Sequence, residues 1–121
     1  MFDLSGKVAL VTGAGQHVGL GIARALAEQG AAVAVNDIVE DRAQAAAEAI
    51  KAAGGRAIAA PADATDREEM AAMVARVEAE LGPVDILVSN AGNSGANPAV
   101  PTKFVDMDPA EWSKYVDINF Y

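Results

Sequence analysis

The sequence predicts an α/β fold built on a parallel sheet, and three observations carry that expectation. Short apolar runs alternate with segments of helical periodicity from Val8 onward. The apolar runs lack the in-and-out alternation of a half-solvated strand, as strands covered on both faces require. Glycines stand where the helical segments should end. Strand–helix alternation at this spacing makes right-handed βαβ units and hence a parallel sheet.

Each element follows in order. Val8-Ala9-Leu10-Val11 is a continuous apolar run and reads as the first strand. A glycine-rich turn follows, then a helix with Val18, Ile22 and Leu26 at i, i+4, i+8, closed by Gly30. Ala31 to Val35 reads as a second buried strand. Ala43, Ala46, Ala47 and Ile50 mark a second helix that stops at Gly54-Gly55, and Ala57-Ile58-Ala59 is a weaker third strand. Thr65 or Asp66 can cap a third helix, with Glu68 and Glu69 at capping-box spacing. Its apolar stripe is Met70, Val74, Val77 and Leu81, and Gly82-Pro83 ends it. Val84 to Val88, interrupted by Asp85, is the fourth strand. A polar loop from Asn90 to about Asp106 leads to Asp108-Pro109-Ala110-Glu111, which reads as N-cap, Pro at N1 and Glu at N3. Trp112, Val116 and Phe120 would share one face of that last helix.

Composition narrows the function. The 121 residues suit one domain, and 52% hydrophobic content is enough to bury a core. Much of that content is alanine, so the core must rest on a smaller set of Val, Ile, Leu and Met. The formal net charge of −8 gives a nucleic-acid backbone no long-range attraction, so nucleic acid is not an expected partner. A small anion can still bind where backbone amides point at it. Without cysteine there are no disulfides, no thiolate catalysis and no Cys-ligated zinc. The start, Met1 to Lys7, has an early acid and no apolar core, and no run approaches the roughly 18 apolar residues of a membrane span. A cytoplasmic protein with no membrane association is expected.

Thr12-Gly13-Ala14-Gly15-Gln16-His17-Val18-Gly19 joins the first strand to the first helix. A pyrophosphate is stabilised by free amides and by the dipole at a helix N-terminus. Small residues let the backbone approach it, and a glycine early in the helix allows close packing on the strand. The loop follows a buried strand and opens a helix, which is the context this motif requires. An ATP-type P-loop is excluded, because no Lys-Ser/Thr follows at its spacing. A methyltransferase survives this loop.

Asp37 ends the second strand near the offset at which a dinucleotide fold places its ribose-binding acid. A carboxylate there accepts adenosine ribose hydroxyls and repels a 2′-phosphate, which favours NAD over NADP. Arg42 lies close enough in sequence to serve a phosphate, and Asn36 takes the acid's position if the strand ends one residue early. Ile38, next to the acid, is counted with the cofactor-binding residues.

Three further segments go beyond a generic dinucleotide fold: Asp63-Ala64 after the third strand, Ser89-Asn90-Ala91-Gly92 after the fourth, and Asp117-Ile118-Asn119 in the last helix. With Thr12-Gly13 and Gly19, in order and at matching separations, the chain resembles the amino-terminal part of the classical short-chain dehydrogenases/reductases, from about Lys7 to its last residue. The resemblance implies a Rossmann-like, doubly wound, three-layer αβα fold with strand order 3-2-1-4 in this half, so that residues 1–121 form an incomplete dinucleotide-binding domain. It implies that Asp63 bonds the adenine amino group, that Ala64 lines the adenine pocket, and that Asn90, Ala91 and Gly92 steady the sheet and touch the cofactor ribose. Asn119 resembles the asparagine of the catalytic tetrad, whose backbone carbonyl holds a water leading to the catalytic lysine. The methyltransferase alternative fails at Asn90-Ala91-Gly92, which is not the loop it would use.

The chain departs from the family pattern in two places. His17, the only histidine, stands where the family usually has glycine, with Val18 and Gly19 aligned after it; a solvent-facing role is expected of it. The family's Ser and Tyr-x-x-x-Lys follow a fifth strand, before which this sequence stops, and Tyr115 is followed at the lysine spacing by Asn119. The expected parent is an NAD(H)-dependent oxidoreductase acting on a small-molecule secondary alcohol or ketone. It would be a homodimer or homotetramer, and the 121 residues alone would be inactive. The alternatives are an NADPH-dependent 3-oxoacyl-thioester reductase of the same family and a non-catalytic nucleotide-binding module.

Overall fold

The computed structural model describes residues 2–92. The expected loop beyond Gly92 and the helix of Trp112, Val116 and Phe120 lie outside the described residues. Within them the order is β1 (Val8–Val11), α1 (His17–Glu28), β2 (Ala32–Asp37), α2 (Glu40–Ala52), β3 (Arg56–Pro61), α3 (Arg67–Leu81) and β4 (Ile86–Val88). The strands form one sheet in the order β3-β2-β1-β4, every pairing parallel. Leu10 pairs with Ala34 on one side and with Leu87 on the other.

Successive residues of each strand serve opposite faces, which splits the core in two. Ala9, Val11, Val33, Val35 and Ala57 meet Ala23 of α1 and Ala46, Ala47 and Ile50 of α2. Val8, Leu10, Ala34 and Ala60 meet Met73 and Val77 of α3. The layers are therefore α1 and α2, the sheet, and α3. The continuous burial of β1 and β2 follows from this, since neither face of those strands is left to solvent.

Helix α2 buries the four residues its periodicity singled out, Ala43, Ala46, Ala47 and Ile50. Helix α3 starts at Asp66, whose carboxylate accepts the Glu69 amide at 3.0 Å, a cap worth about 1 kcal/mol. Its buried residues are Met73 and Val77, with Met70, Val74 and Leu81 packed at the flanks.

Helix α1 differs from its expected stripe. Val18 is 69% exposed, and the buried residues are Gly19 and Ala23. The helix sits so close to the first turn that only small residues fit underneath, so the larger apolar side chains are displaced to its flanks. Strand β4 is shorter than expected and starts at Ile86 because Asp85 continues the pairing by other means. Its amide donates to the Val8 carbonyl at 2.9 Å, and its carboxylate accepts the Val8 amide at 2.9 Å.

Candidate cofactor site

At the carboxyl ends of the strands a cleft of about 370 Å³ opens between the β1–α1 loop and the ends of β2, β3 and β4. Its walls include Gly13, Gln16, His17, Val18, Gly19, Asp37, Ile38, Asp63, Ala64, Asn90, Ala91 and Gly92. Those residues were singled out from the sequence, and the fold gathers them from four separate loops. Three more line the cleft: Asn36, Arg42 and Ala62. Asn119 lies outside the described residues.

The floor is built by Thr12, Asn90 and the glycines. Thr12 is buried and does not line the cleft. Its hydroxyl accepts the Asn90 and Ala91 amides, each at 3.0 Å, and donates to the Val88 carbonyl at 3.4 Å. The Asn90 side-chain amide in turn donates to the carbonyls of Thr12 and Gly13, both at 3.2 Å. These bonds stitch the end of β4 to the end of β1 and hold the glycine loop from below. Gly13 has φ +62°, and a Cβ there would lie 3.0 Å from the Ala91 Cα. A Cβ on Gly19 would fall on the Gly13 carbonyl oxygen and 2.6 Å from the Asn90 amide nitrogen. Gly13, Gly19 and Asn90, far apart in sequence, thus meet at one close approach that only hydrogen side chains permit.

The wall toward the helix is a set of open donors. The first helical bond of α1 runs from the Leu20 amide to the Gln16 carbonyl at 3.2 Å. The amides of His17, Val18 and Gly19 are therefore first-turn donors with no carbonyl to take them within the helix. Gln16 makes no side-chain capping bond to them, and the first turn carries no acid. By contrast, α2 has Glu40 and Asp41 in its first turn and α3 has Glu68 and Glu69. The positive end of α1 alone among the described helices is left for an outside anion to neutralise.

His17 is the one non-glycine residue with positive φ among those described, at +51°. Its side chain is exposed at the cleft mouth. The left-handed backbone is the reason glycine suits this position, and His17 holds it at a cost of about 1–2 kcal/mol.

The far end of the cleft belongs to Asp37. Asn36 lines the cleft too, but its side-chain nitrogen is committed to the Ala60 and Ala62 carbonyls at 2.9 and 3.2 Å, and its backbone carbonyl accepts the Ala14 amide at 2.7 Å. Asp37 is the residue whose carboxylate meets the loop. Its Oδ2 accepts the Gly15 amide at 3.1 Å; its Oδ1 accepts the Val39 amide at 2.9 Å and the Arg42 guanidinium at 3.0 and 3.2 Å. A side chain on Gly15 would fall on that carboxylate. Asp63, at the next strand end, uses Oδ1 for the Thr65 amide and hydroxyl at 2.9 and 2.7 Å. The sequence offers Asn36 as the alternative to Asp37; β2 runs through Asp37, so the acid keeps that position and Asn36 lies one residue inside the strand. Ala62 carries no signal in the sequence.

A parallel 3-2-1-4 sheet, with an open helix N-terminus at one end of its cleft and a strand-end carboxylate at the other, defines a dinucleotide-binding fold. The short chain dehydrogenase family model matches residues 7–121, and the chain belongs to that family. It is 36% identical over 119 residues to the 5-keto-D-gluconate 5-reductase of Escherichia coli strain K12, covering 98% of this chain and 45% of the relative. It is 39% identical to the solved 7α-hydroxysteroid dehydrogenase in complex with NADH and 7-oxo glycochenodeoxycholic acid, with a TM-score of 0.86, covering 98% of this chain and 44% of that one. It is 36% identical to a metagenomic short-chain oxidoreductase in complex with NADP, with a TM-score of 0.80, covering 95% of this chain and 50% of that one. The chain spans about half the length of the relatives it matches. No helix of the described residues is long and apolar enough to cross a membrane.

Proposed function

We propose that this chain is the cofactor-binding half of an oxidoreductase that transfers a hydride between NAD(H) and a secondary alcohol or ketone. The observation that carries the reading is the Asp37 carboxylate, buried at the end of β2 and hydrogen-bonded to the loop that opens at the N-terminus of α1. The nicotinamide, when bound, supplies the hydride chemistry. This chain's residues bind and orient. The amides of His17, Val18 and Gly19 would take the diphosphate, Asp37 the adenosine ribose, and Asp63 and Ala64 the adenine. Asn90, Ala91 and Gly92 would support the second ribose. Gly13 and Gly19 let the loop and the first turn of α1 close against Ala91 and Asn90, which holds the helix amides at the cleft. Relatives named for a keto-sugar acid and a hydroxysteroid support the alcohol/ketone class of substrate.

The test is spectrophotometric. The protein completed to the length of its relatives is mixed with NAD⁺ and a panel of secondary alcohols, then with NADH and the matching ketones. Appearance or loss of reduced nicotinamide on a member of the panel, faster with NAD(H) than with NADP(H), is the expected result. Cofactor binding without turnover of any member would favour a non-catalytic nucleotide-binding module. One observation favours a second reading, an NADPH-dependent reductase of the same family: a guanidinium, Arg42, lies directly on the ribose-end acid.

A further inference from the structure

Asn36, one residue inside the end of β2, is 1% exposed and lines the cleft. Its Nδ2 has two donor hydrogens, and the Ala60 and Ala62 carbonyls take both, at 2.9 and 3.2 Å. The amide can sit only this way round, because an oxygen facing two carbonyls would be repelled by both. Oδ1 is therefore turned away from β3. No donor reaches it among the described residues. No side-chain oxygen there is both unbonded and sealed, so Oδ1 keeps open surface, and the space beside Asn36 is the cleft. A nearly buried acceptor without a donor is a place for a ligand's donor.

Consecutive residues of β2 serve opposite faces of the sheet. The Asp37 carboxylate meets the Gly15 amide and the Arg42 guanidinium, on the side of α1 and α2. Asn36 shares the other side with Ala34, Ala60 and Ala62, beside the Asp63-Ala64 segment that continues from β3. Asp63 uses Oδ1 for the Thr65 amide and hydroxyl, and no donor meets its Oδ2 among the described residues. This side of the cleft therefore offers two open oxygens, one neutral and one charged. Ala62 and Ala64, which line it with them, add no polar side chain.

We propose that Asn36 reads the base at the adenosine end: its Oδ1 and the Oδ2 of Asp63 each accept one N–H of an exocyclic amino group. The proposal rests on the dinucleotide reading of the cleft and makes Asn36 a specificity-determining residue for a 6-amino purine. A 6-oxo purine puts an acceptor where both oxygens require a donor, so it forfeits the bond and adds repulsion. The two bonds from Nδ2 hold Oδ1 in place before the ligand arrives, so little ordering is left to pay at binding. Asn36 and Asp37 divide the nucleoside between them, the base on one side of β2 and the ribose on the other.

The test uses the completed protein and two cofactors that differ at C6 of the purine: NADH, with an amino group, and reduced nicotinamide hypoxanthine dinucleotide, with an oxo group. Both are titrated into the unaltered protein, Asn36→Ala, Asp63→Ala and the double variant. The unaltered protein should bind NADH about tenfold or more tightly than the hypoxanthine analogue. Asp63→Ala leaves the Asn36 amide and its carbonyl partners in place and should keep a preference of about threefold or more. Asn36→Ala should lower the ratio of the two affinities by about threefold to tenfold, the worth of one uncharged hydrogen bond, and the double variant should bind the two alike. A loss shared equally by both cofactors in Asn36→Ala would reduce Asn36 to a brace of the strand end and overturn the proposal. So would loss of the whole preference in Asp63→Ala, a result that does not depend on Asn36→Ala folding. Equal binding of the two cofactors by the unaltered protein would overturn the proposal alone. No binding of NADH would overturn the reading of the cleft, and the proposal with it.

Discussion

Asp37 and Gly15 are hydrogen-bonded across 22 residues, the Gly15 amide donating to the Asp37 carboxylate at 3.1 Å. The bond joins the end of β2 to the loop that opens α1. It fixes the two ends of the cleft relative to each other, the acid at one and the open helix amides at the other.

Cofactor preference follows from this pair. The completed protein should bind NADH more tightly than NADPH, and Asp37→Ala should narrow the gap by about tenfold by removing a charge from the site of the 2′-phosphate. Fluorescence titration of the two reduced cofactors measures it. Equal affinities in the unaltered protein would remove Asp37 from the account.

Gly13 predicts a loss. Its φ of +62° and the 3.0 Å approach of an added Cβ to the Ala91 Cα leave no room for a branched side chain. Gly13→Val should abolish cofactor binding, measured by calorimetry with circular dichroism as the control for folding. Retained binding would show that the loop relaxes without consequence.

His17 predicts a gain. Glycine at φ +51° relieves about 1–2 kcal/mol of backbone strain, offset by about 0.5–1 kcal/mol of extra chain entropy when unfolded. His17→Gly should therefore raise stability slightly, by about 0.5 kcal/mol, and leave cofactor affinity intact. His17→Val should lower stability by at least about 1 kcal/mol, because a β-branched residue tolerates this conformation poorly. Denaturant unfolding distinguishes the two signs. A large loss of affinity in His17→Gly would mean that the imidazole itself touches the cofactor.

Asn36 predicts a stability cost. Its side chain is the donor to the Ala60 and Ala62 carbonyls, and both of those residues are buried. Asn36→Leu, similar in size, should destabilise the fold by about 2–3 kcal/mol by leaving those carbonyls without their donor. An unchanged unfolding midpoint would show that other donors replace it.

The face of α2 was legible because Ala43, Ala46, Ala47 and Ile50 recur at helical spacing against a flat sheet, and nothing else intervenes. The strand order and the cleft were legible because glycine loop, strand-end acid and Asn90-Ala91-Gly92 each carry a local signature. Val18 was misplaced because the rotation of α1 is set by a contact periodicity does not encode, Gly19 against the Gly13 carbonyl. Strand β4 begins at Ile86, two residues after the Val84 that opens its apolar run, because Asp85 bonds Val8 with its carboxylate as well as its amide. The Asp37–Arg42 ion pair depends on the path of the β2–α2 turn, and the sequence showed only that the two residues were near each other.

On the proposed reading, the cleft between the α1 N-terminus and Asp37 would hold the adenosine diphosphate part of a nicotinamide dinucleotide. The most direct measurement is displacement of bound NADH by ADP-ribose in the completed protein, read from NADH fluorescence. The account predicts one saturable NADH site, competitive with ADP-ribose and lost in Gly13→Val. NADH binding indifferent to ADP-ribose, or no NADH binding, would contradict it.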